Sequence, residues 1–207
     1  MRTRIKICGF TCAEDARHAA QSGADAIGLV FYPPSPRYVS LDSAKKIAAV
    51  IPPFVSRVGL FVDASVDAVW QVLHAGIVDV LQFHGNEPPD WCRQFDRPYI
   101  KAIRVQSGLN LLQCATDYAD AQGLLLDAWV DGVPGGTGAR FDWQMIPQKM
   151  PLPWVLSGGL SVDNVAQAIR DTRPWAVDVS SGVEQQRGVK DRMKITQFVK
   201  EVQRADN

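Results

Sequence analysis

The sequence has no excess of charge of either sign: 22 Lys and Arg residues are matched by 22 Asp and Glu, and neither half carries a block of one sign. A surface that tracks a phosphate backbone or an anionic bilayer needs such an excess, so neither nucleic acid nor a membrane surface is expected as a partner. Long apolar runs are missing as well. Stretches such as Ala26 to Phe31 and Val78 to Phe83 fall far short of the ~18 residues that a membrane-spanning helix takes. The N-terminus passes from Met1-Arg2-Thr3-Arg4 straight into Ile5-Lys6-Ile7, without the apolar segment and small-residue cleavage site of a secretory signal, which makes the cytoplasm the expected location. Cysteine is scarce: Cys8, Cys12, Cys92 and Cys114 are the only four in 207 residues. That is too few for a disulfide scaffold, and no Cys-x-x-Cys or His-Glu-x-x-His spacing points to a metal, so reduced, unligated thiols are expected. No Pro/Gly/Ser-rich linker or low-complexity tract divides the chain, which predicts a single domain over 1–207.

With 46% hydrophobic and 21% charged residues, the chain can bury a substantial core. Eight apolar, β-branched-rich runs recur along it: Arg4 to Cys8, Asp25 to Phe31, Ser56 to Val62, Asp79 to His84, Tyr99 to Val105, Gly123 to Trp129, Trp154 to Ser157 and Ala176 to Ser180. Helical spacing marks Cys12 to Ser22, Leu41 to Val50, Val66 to Ala75, Val162 to Asp171 and Lys190 to Arg204, with Thr11, Ser40, Ser65 and Ser161 as candidate caps. Strands apolar almost throughout, alternating with helices, mean a parallel sheet covered by helices. Eight such units predict a closed (β/α)₈ barrel, because a doubly wound open sheet more often stops at about 5 or 6 strands.

Active sites of such barrels are built at the C-terminal strand ends and the loops that follow. Here those ends carry Cys8-Gly9, Arg37 in the loop after the second strand, Asp63, His84-Gly85, Arg104 and Asp127, then Ser157-Gly158-Gly159 and Asp178-Val179-Ser180-Ser181-Gly182. Two Gly/Ser-rich ends after strands seven and eight let backbone N–H groups approach anionic oxygens, which predicts a phosphorylated small-molecule substrate held near Gly158, Gly159, Ser180, Ser181 and Gly182. Read alone, either end is also an ordinary tight turn. The cluster Gly135-Gly136-Thr137-Gly138, in the loop after strand six, reads as a flap over a ligand or as a plain surface loop.

Strands one and six stand well apart around the ring, so Cys8 and Asp127 face each other across the mouth as a workable base and acid. Cys8 is a base only as thiolate, and taken singly reads equally as a small buried hydrophobe. Asp127 is driven to a strand end by Leu124-Leu125-Leu126, where a buried carboxylate is costly without a task or partner. Arg37 leaves a loop stiffened by Pro33, Pro34 and Pro36, and its planar fork matches a carboxylate. His84 is a candidate acid, base or structural hydrogen-bonding residue.

In order along the chain, several motifs resemble those of the phosphoribosylanthranilate isomerase family: Lys6-Ile7-Cys8-Gly9, Ser35-Pro36-Arg37-Tyr38-Val39, Leu81-Gln82-Phe83-His84-Gly85 and Leu126-Asp127-Ala128. Gly135-Gly136-Thr137-Gly138 with Phe141-Asp142-Trp143, Ser157-Gly158-Gly159-Leu160 and Asp178-Val179-Ser180-Ser181-Gly182-Val183-Glu184 complete the set. The resemblance runs from Ile5 to about Phe198. It implies a cofactor-free Amadori rearrangement of N-(5-phosphoribosyl)anthranilate in tryptophan biosynthesis, with Asp127 as general acid at the ring oxygen and Cys8 as base at C2 of the ribose. It further implies Arg37 on the anthranilate carboxylate and His84 within the substrate site. Phe10, Phe83 and Ser157 depart from the pattern, where Leu, Leu and Ala are more usual, and leave the acid and base untouched.

Other readings compete. An indole-3-glycerol phosphate synthase-like enzyme calls for catalytic lysines at strand ends, and Lys6 and Lys101 lie within strands instead. A dual-substrate isomerase needs a second phosphate site, for which Arg37 is the one evident cation. A non-catalytic binding barrel needs neither Cys8 nor Asp127. The oligomeric state is not fixed by the sequence, a monomer being the simpler expectation.

Overall fold

A computed structural model of the chain describes residues 2–128 and 142–206. Eight parallel strands close into a barrel: β1 (Arg4–Cys8), β2 (Ala26–Val30), β3 (Ser56–Phe61), β4 (Val80–Phe83), β5 (Tyr99–Val105), β6 (Gly123–Ala128), β7 (Trp154–Leu156) and β8 (Ala176–Val179). Each pairs with its sequence neighbour, and β1 pairs with β8 in the register Arg4↔Ala176 to Ile7↔Val179, leaving no open edge. All eight expected strands are present, some a residue or two shorter. Trp129, Gly135-Gly136-Thr137-Gly138 and Phe141 lie outside the described residues. The family-like pattern of strand, helix, strand is thus the (β/α)₈ barrel that the alternation predicts.

The helices are α1 (Ala13–Ser22), α2 (Leu41–Ala48), α3 (Val66–His74), α4 (Pro89–Arg93), α5 (Leu111–Asp117), α6 (Val165–Thr172) and α7 (Arg192–Asp206). Ser40 and Ser65 cap as predicted, accepting from the Ser43 and Ala68 N–H groups. Thr11 and Ser161 do not. Thr11 Oγ1 instead donates to the Gly188 carbonyl at 2.7 Å, and Asn164 precedes α6 while its side chain ties Ser161 N–H to the Gly159 carbonyl. The short helices α4 and α5 escape a periodicity reading because one or two turns carry too few repeats. Between β6 and β7 the described residues hold a 3₁₀ turn, Trp143–Met145. After β8 comes a small antiparallel hairpin, β9 (Glu184–Gln186) and β10 (Val189–Lys190). Among the described residues, no helix is long and apolar enough to cross a membrane.

Period-two alternation divides each strand between two environments. Ile5, Ile7, Ile27, Leu29, Leu81, Phe83, Leu124, Leu126 and Val177 point outward and bury against the helices. Phe83, one of the departures, is buried there among Trp91, Phe95 and Tyr99. The opposite parity fills the barrel interior: Ala102, Leu125, Val155 and Ala176 plug its lower end, while Cys8, Val30, Leu60 and Val62 form an apolar wall at the mouth.

Lys101 has the outward parity. Its ammonium, 3% exposed, donates to Glu87 Oε2 at 3.0 Å and to the Phe83 and Gly85 carbonyls. Glu87 in turn accepts from the Asp63 and Gly85 N–H groups, so this pair fixes the loop after β4. Removing one partner strands the other's charge in a dry site. Lys101→Met is expected to lower unfolding free energy by about 3 kcal/mol or more in urea titrations. Arg57→Ala, which breaks an ion pair with Asp79 open to water, is expected to cost about 1 kcal/mol or less by the same measurement.

Candidate active site

The C-terminal mouth of the barrel opens into a pocket of about 260 Å³. Cys8, Arg37, His84 and Asp127 line it, as do Gly158, Gly159, Ser180 and Ser181. Four elements far apart in sequence therefore bring the expected acid, base and anion-binding groups to one cavity. Cys8 enters from the end of β1, and Gly28 on β2 makes the room for it: a Cβ at Gly28 would stand 2.6 Å from the thiol sulfur. Burial pushes the Cys8 thiol up from its ordinary pKa, while Lys6 and Lys190 pull it back and Asp178 adds to the rise.

Asp127 comes from β6 and is 4% exposed. Its Oδ1 accepts from the Ala128 N–H at 2.9 Å and its Oδ2 lies 3.1 Å from His84 Nε2. Gln82, one inward position earlier on β4, donates from Nε2 to His84 Nδ1 at 3.0 Å. That bond leaves the imidazole proton on Nε2, where it donates to Asp127. Among the described residues, the Gln82 Oε1 is buried with no hydrogen-bond partner. Turned over, the same amide would present an oxygen to Nδ1–H, so one side chain can serve neutral and protonated His84.

Arg37 is 7% exposed and already committed. Its Nε and Nη2 donate to the two oxygens of Glu184 at 2.8 and 2.9 Å, and Lys190 Nζ lies 2.8 Å from the same carboxylate. Burial works against the Glu184 charge, but the fork and Lys190 outweigh it and hold the carboxyl below its usual range. The fork that the sequence assigns to a ligand carboxylate thus clasps the protein's own, and Arg37 reaches the pocket by its remaining edge. As a second phosphate site it has few donors to offer, since Nε and Nη2 are already given to Glu184. Arg187, in the hairpin turn, brings another guanidinium to the pocket wall.

The expected anion site divides. Gly158 and Gly159 take positive φ, 82° and 65°, a conformation that favours glycine, and face the pocket. Ser180 and Ser181 face it too, although the Ser180 hydroxyl donates to the Cys8 carbonyl at 3.0 Å. Gly182 follows them in the same loop, where a Cβ would overlap the Leu160 carbonyl, so a glycine there also lets the β7 loop pack against the β8 loop.

Sequence reasoning passed over Lys6, Gln82, Glu184 and Lys190. Lys6 and Gln82 carried a usable signal: each shares the inward parity of the site residue two positions on, Cys8 and His84. Glu184 and Lys190 lie beyond the strands, where no periodicity marks them. Lys101 faces the helices and Lys6 is bound to Asp178, so neither of these two strand lysines presents a free ammonium for the indole-synthesis reading.

A family model described as N-(5'phosphoribosyl)anthranilate (PRA) isomerase matches residues 5–201. The N-(5'-phosphoribosyl)anthranilate isomerase of Thiobacillus denitrificans is 57% identical over 199 residues, 96% of this chain and 97% of that one. Among solved structures, the phosphoribosyl anthranilate isomerase of Thermotoga maritima superposes with a TM-score of 0.88 at 40% identity, covering 97% of this chain and 98% of the other. A phosphoribosyl anthranilate isomerase in complex with reduced 1-(o-carboxyphenylamino)-1-deoxyribulose 5-phosphate gives a TM-score of 0.86 at 40% identity over the same shares. By sequence along nearly its whole length and by fold, the chain belongs to the N-(5'-phosphoribosyl)anthranilate isomerase family.

Proposed function

We infer that the chain catalyses the Amadori rearrangement of N-(5-phosphoribosyl)anthranilate to 1-(2-carboxyphenylamino)-1-deoxyribulose 5-phosphate in tryptophan biosynthesis, acting as one (β/α)₈ domain over 1–207 in the cytoplasm. The observation that carries this reading is one pocket with a thiol on β1 and a carboxyl on β6, lined between them by the glycine and serine loops of β7 and β8. Family membership and the product analogue bound by a structural relative support it.

The reaction is an internal redox change: C1 of the sugar is reduced to a methylene and C2 is oxidised to a ketone, so electrons balance within the substrate. Asp127 protonates the furanose ring oxygen, which breaks the C1–O bond and leaves a protonated Schiff base. Cys8, as thiolate, then removes the C2 proton, and the electron pair moves into C1–C2 to give an enolamine. Protonation at C1 and loss of the O2 proton give the ketone. Each step needs a positioned acid or base. His84, backed by Gln82, presents Nε2–H to the Asp127 carboxyl and so stabilises the carboxylate left once Asp127 has given its proton to the ring oxygen.

The phosphate is held at Gly158, Gly159, Ser180 and Ser181, with the buried Lys190 ammonium 3.1 Å from the Ser180 carbonyl adding positive field behind the loop. The anthranilate carboxylate lies toward Arg37 and Arg187. Pro34, Pro36 and Tyr32 line that part of the pocket and give the aromatic ring an apolar bed.

Loss of anthranilate fluorescence from freshly generated substrate tests the assignment. Cys8→Ser and Asp127→Asn, checked for native circular dichroism, are each expected to lower kcat/KM by about 10² or more. A wild-type protein that binds the product analogue without turning substrate over would overturn the reading in favour of a binding barrel.

A further inference from the structure

The interior directly behind the thiol holds charge that the reaction above does not use. Lys6 lies two residues before Cys8 on β1, so both side chains enter the barrel on the same side. Its ammonium is buried, 4% exposed, and donates to Asp178 Oδ1 at 2.9 Å from the strand directly across the closing seam. Asp178 Oδ2 in turn lies 3.5 Å from Ser157 Oγ, and Asp178 reaches the pocket wall. A buried ion pair in a barrel interior is costly to build when apolar side chains would fill the space.

The groups that face Cys8 can be named element by element. Lys6 comes from β1, Arg37 from the loop after β2, Asp178 from β8, and Glu184 and Lys190 from the hairpin, with His84 and Asp127 opposite across the pocket and Arg187 at its rim. The cluster on the Cys8 side of the pocket, Lys6, Arg37 and Lys190 against Asp178 and Glu184, has three cations to two carboxylates. Arg37 and Lys190 are both anchored to Glu184. Lys6 has the single anchor Asp178 and the shortest path along the chain to the sulfur. A thiolate at Cys8 would bring this cluster to neutrality.

We propose that Lys6 is a positioning residue for the Cys8 base: its ammonium, held behind the thiol by Asp178, stabilises the thiolate and so governs how much of the protein is ready to take the C2 proton. Asp178 holds the ammonium in place and limits the effect, because its own charge opposes that of the thiolate. The two members of one ion pair therefore act on Cys8 with opposite signs. Lys6 favours the charged sulfur, Asp178 disfavours it, and burial disfavours it most. A purely structural ion pair has no such signature, since loss of either member would then harm the site in the same way.

This inference rests on Cys8 being the base, so the experiment reads the sulfur and the rate separately. Thiolate absorbance in the ultraviolet is titrated for wild type, Lys6→Met, Asp178→Asn and the double variant, each corrected with its own Cys8→Ser counterpart, and the acid limb of kcat/KM against pH is recorded for the same proteins. Burial holds the Cys92 thiol at about 12, and the correction removes it with Cys12 and Cys114. The Cys8 midpoint is expected to rise by about one pH unit or more in Lys6→Met and to fall in Asp178→Asn, with the rate limb moving alongside. Should Lys6→Met fail to fold around an unpaired Asp178, the double variant supplies the comparison, its midpoint lying above that of Asp178→Asn by about one unit or more. Midpoints unmoved by the loss of Lys6, or moved in the same direction by both single substitutions, overturn the proposal. A sulfur titration that shifts while the rate limb stays in place removes Cys8 as the base, and the catalytic role of Lys6 falls with it.

Discussion

The seam between β1 and β8 is the constraint on which the rest of the site depends. Four residue pairs in parallel register, Arg4↔Ala176 to Ile7↔Val179, turn a twisted sheet into a closed barrel and thereby give each inward residue a fixed height. Closure sets Lys6 opposite Asp178 and brings the Ser180 hydroxyl to the Cys8 carbonyl. The first and last strands, 172 residues apart at these contacts, so build one side of the pocket between them. A slip of one residue at this seam would turn Cys8 toward the helices and Ile7 into the mouth.

That geometry sorts the chemistry by height within the barrel. At the bottom, Ala102, Leu125, Val155 and Ala176 exclude water. Above them come Lys6, Gln82 and Asp178, buried polar groups of which Asp178 reaches the pocket wall. At the mouth stand Cys8, His84 and Asp127. A buried charge without a partner costs several kcal/mol, so each of these groups is coupled to another: Lys6 to Asp178, His84 to Asp127, Arg37 and Lys190 to Glu184. These couplings fix the charged side chains around the pocket while the pocket between them stays open. Orientation of this kind lets weak groups such as a thiol and a carboxyl carry a difficult isomerisation.

The barrel was legible because eight apolar runs at regular intervals leave few alternatives, and Cys8 and Asp127 stood out as candidates because each lies at the C-terminal end of a strand, facing the barrel mouth. What the sequence concealed has physical reasons. Arg37 reads as a free fork, since nothing near it in the chain announces Glu184, 147 residues on; their pairing is a product of closure. Nothing near Gly182 in the chain announces that the Leu160 carbonyl packs where its Cβ would stand, a contact made only when the β7 and β8 loops come together. Lys101 and Lys6 look alike as single lysines within strands, yet opposite parity sends one to the helices with Glu87 and the other into the barrel. Ser161 stands where a cap is common, and the side chain of Asn164 takes over the local hydrogen bonds.

In the proposed reaction the C2 hydrogen leaves as a proton to a protein base. This step is tested most directly with substrate deuterated at C2 of the ribose, quenched after a single turnover and read by mass spectrometry and NMR of the product. Proton removal by Cys8 predicts a primary isotope effect on that turnover, together with loss of deuterium to solvent and uptake of solvent hydrogen at C1. Complete retention of the label at C1 with no primary isotope effect, unchanged in the residual turnover of Cys8→Ser, would mean that no protein base at Cys8 takes the C2 hydrogen, and it would contradict the account.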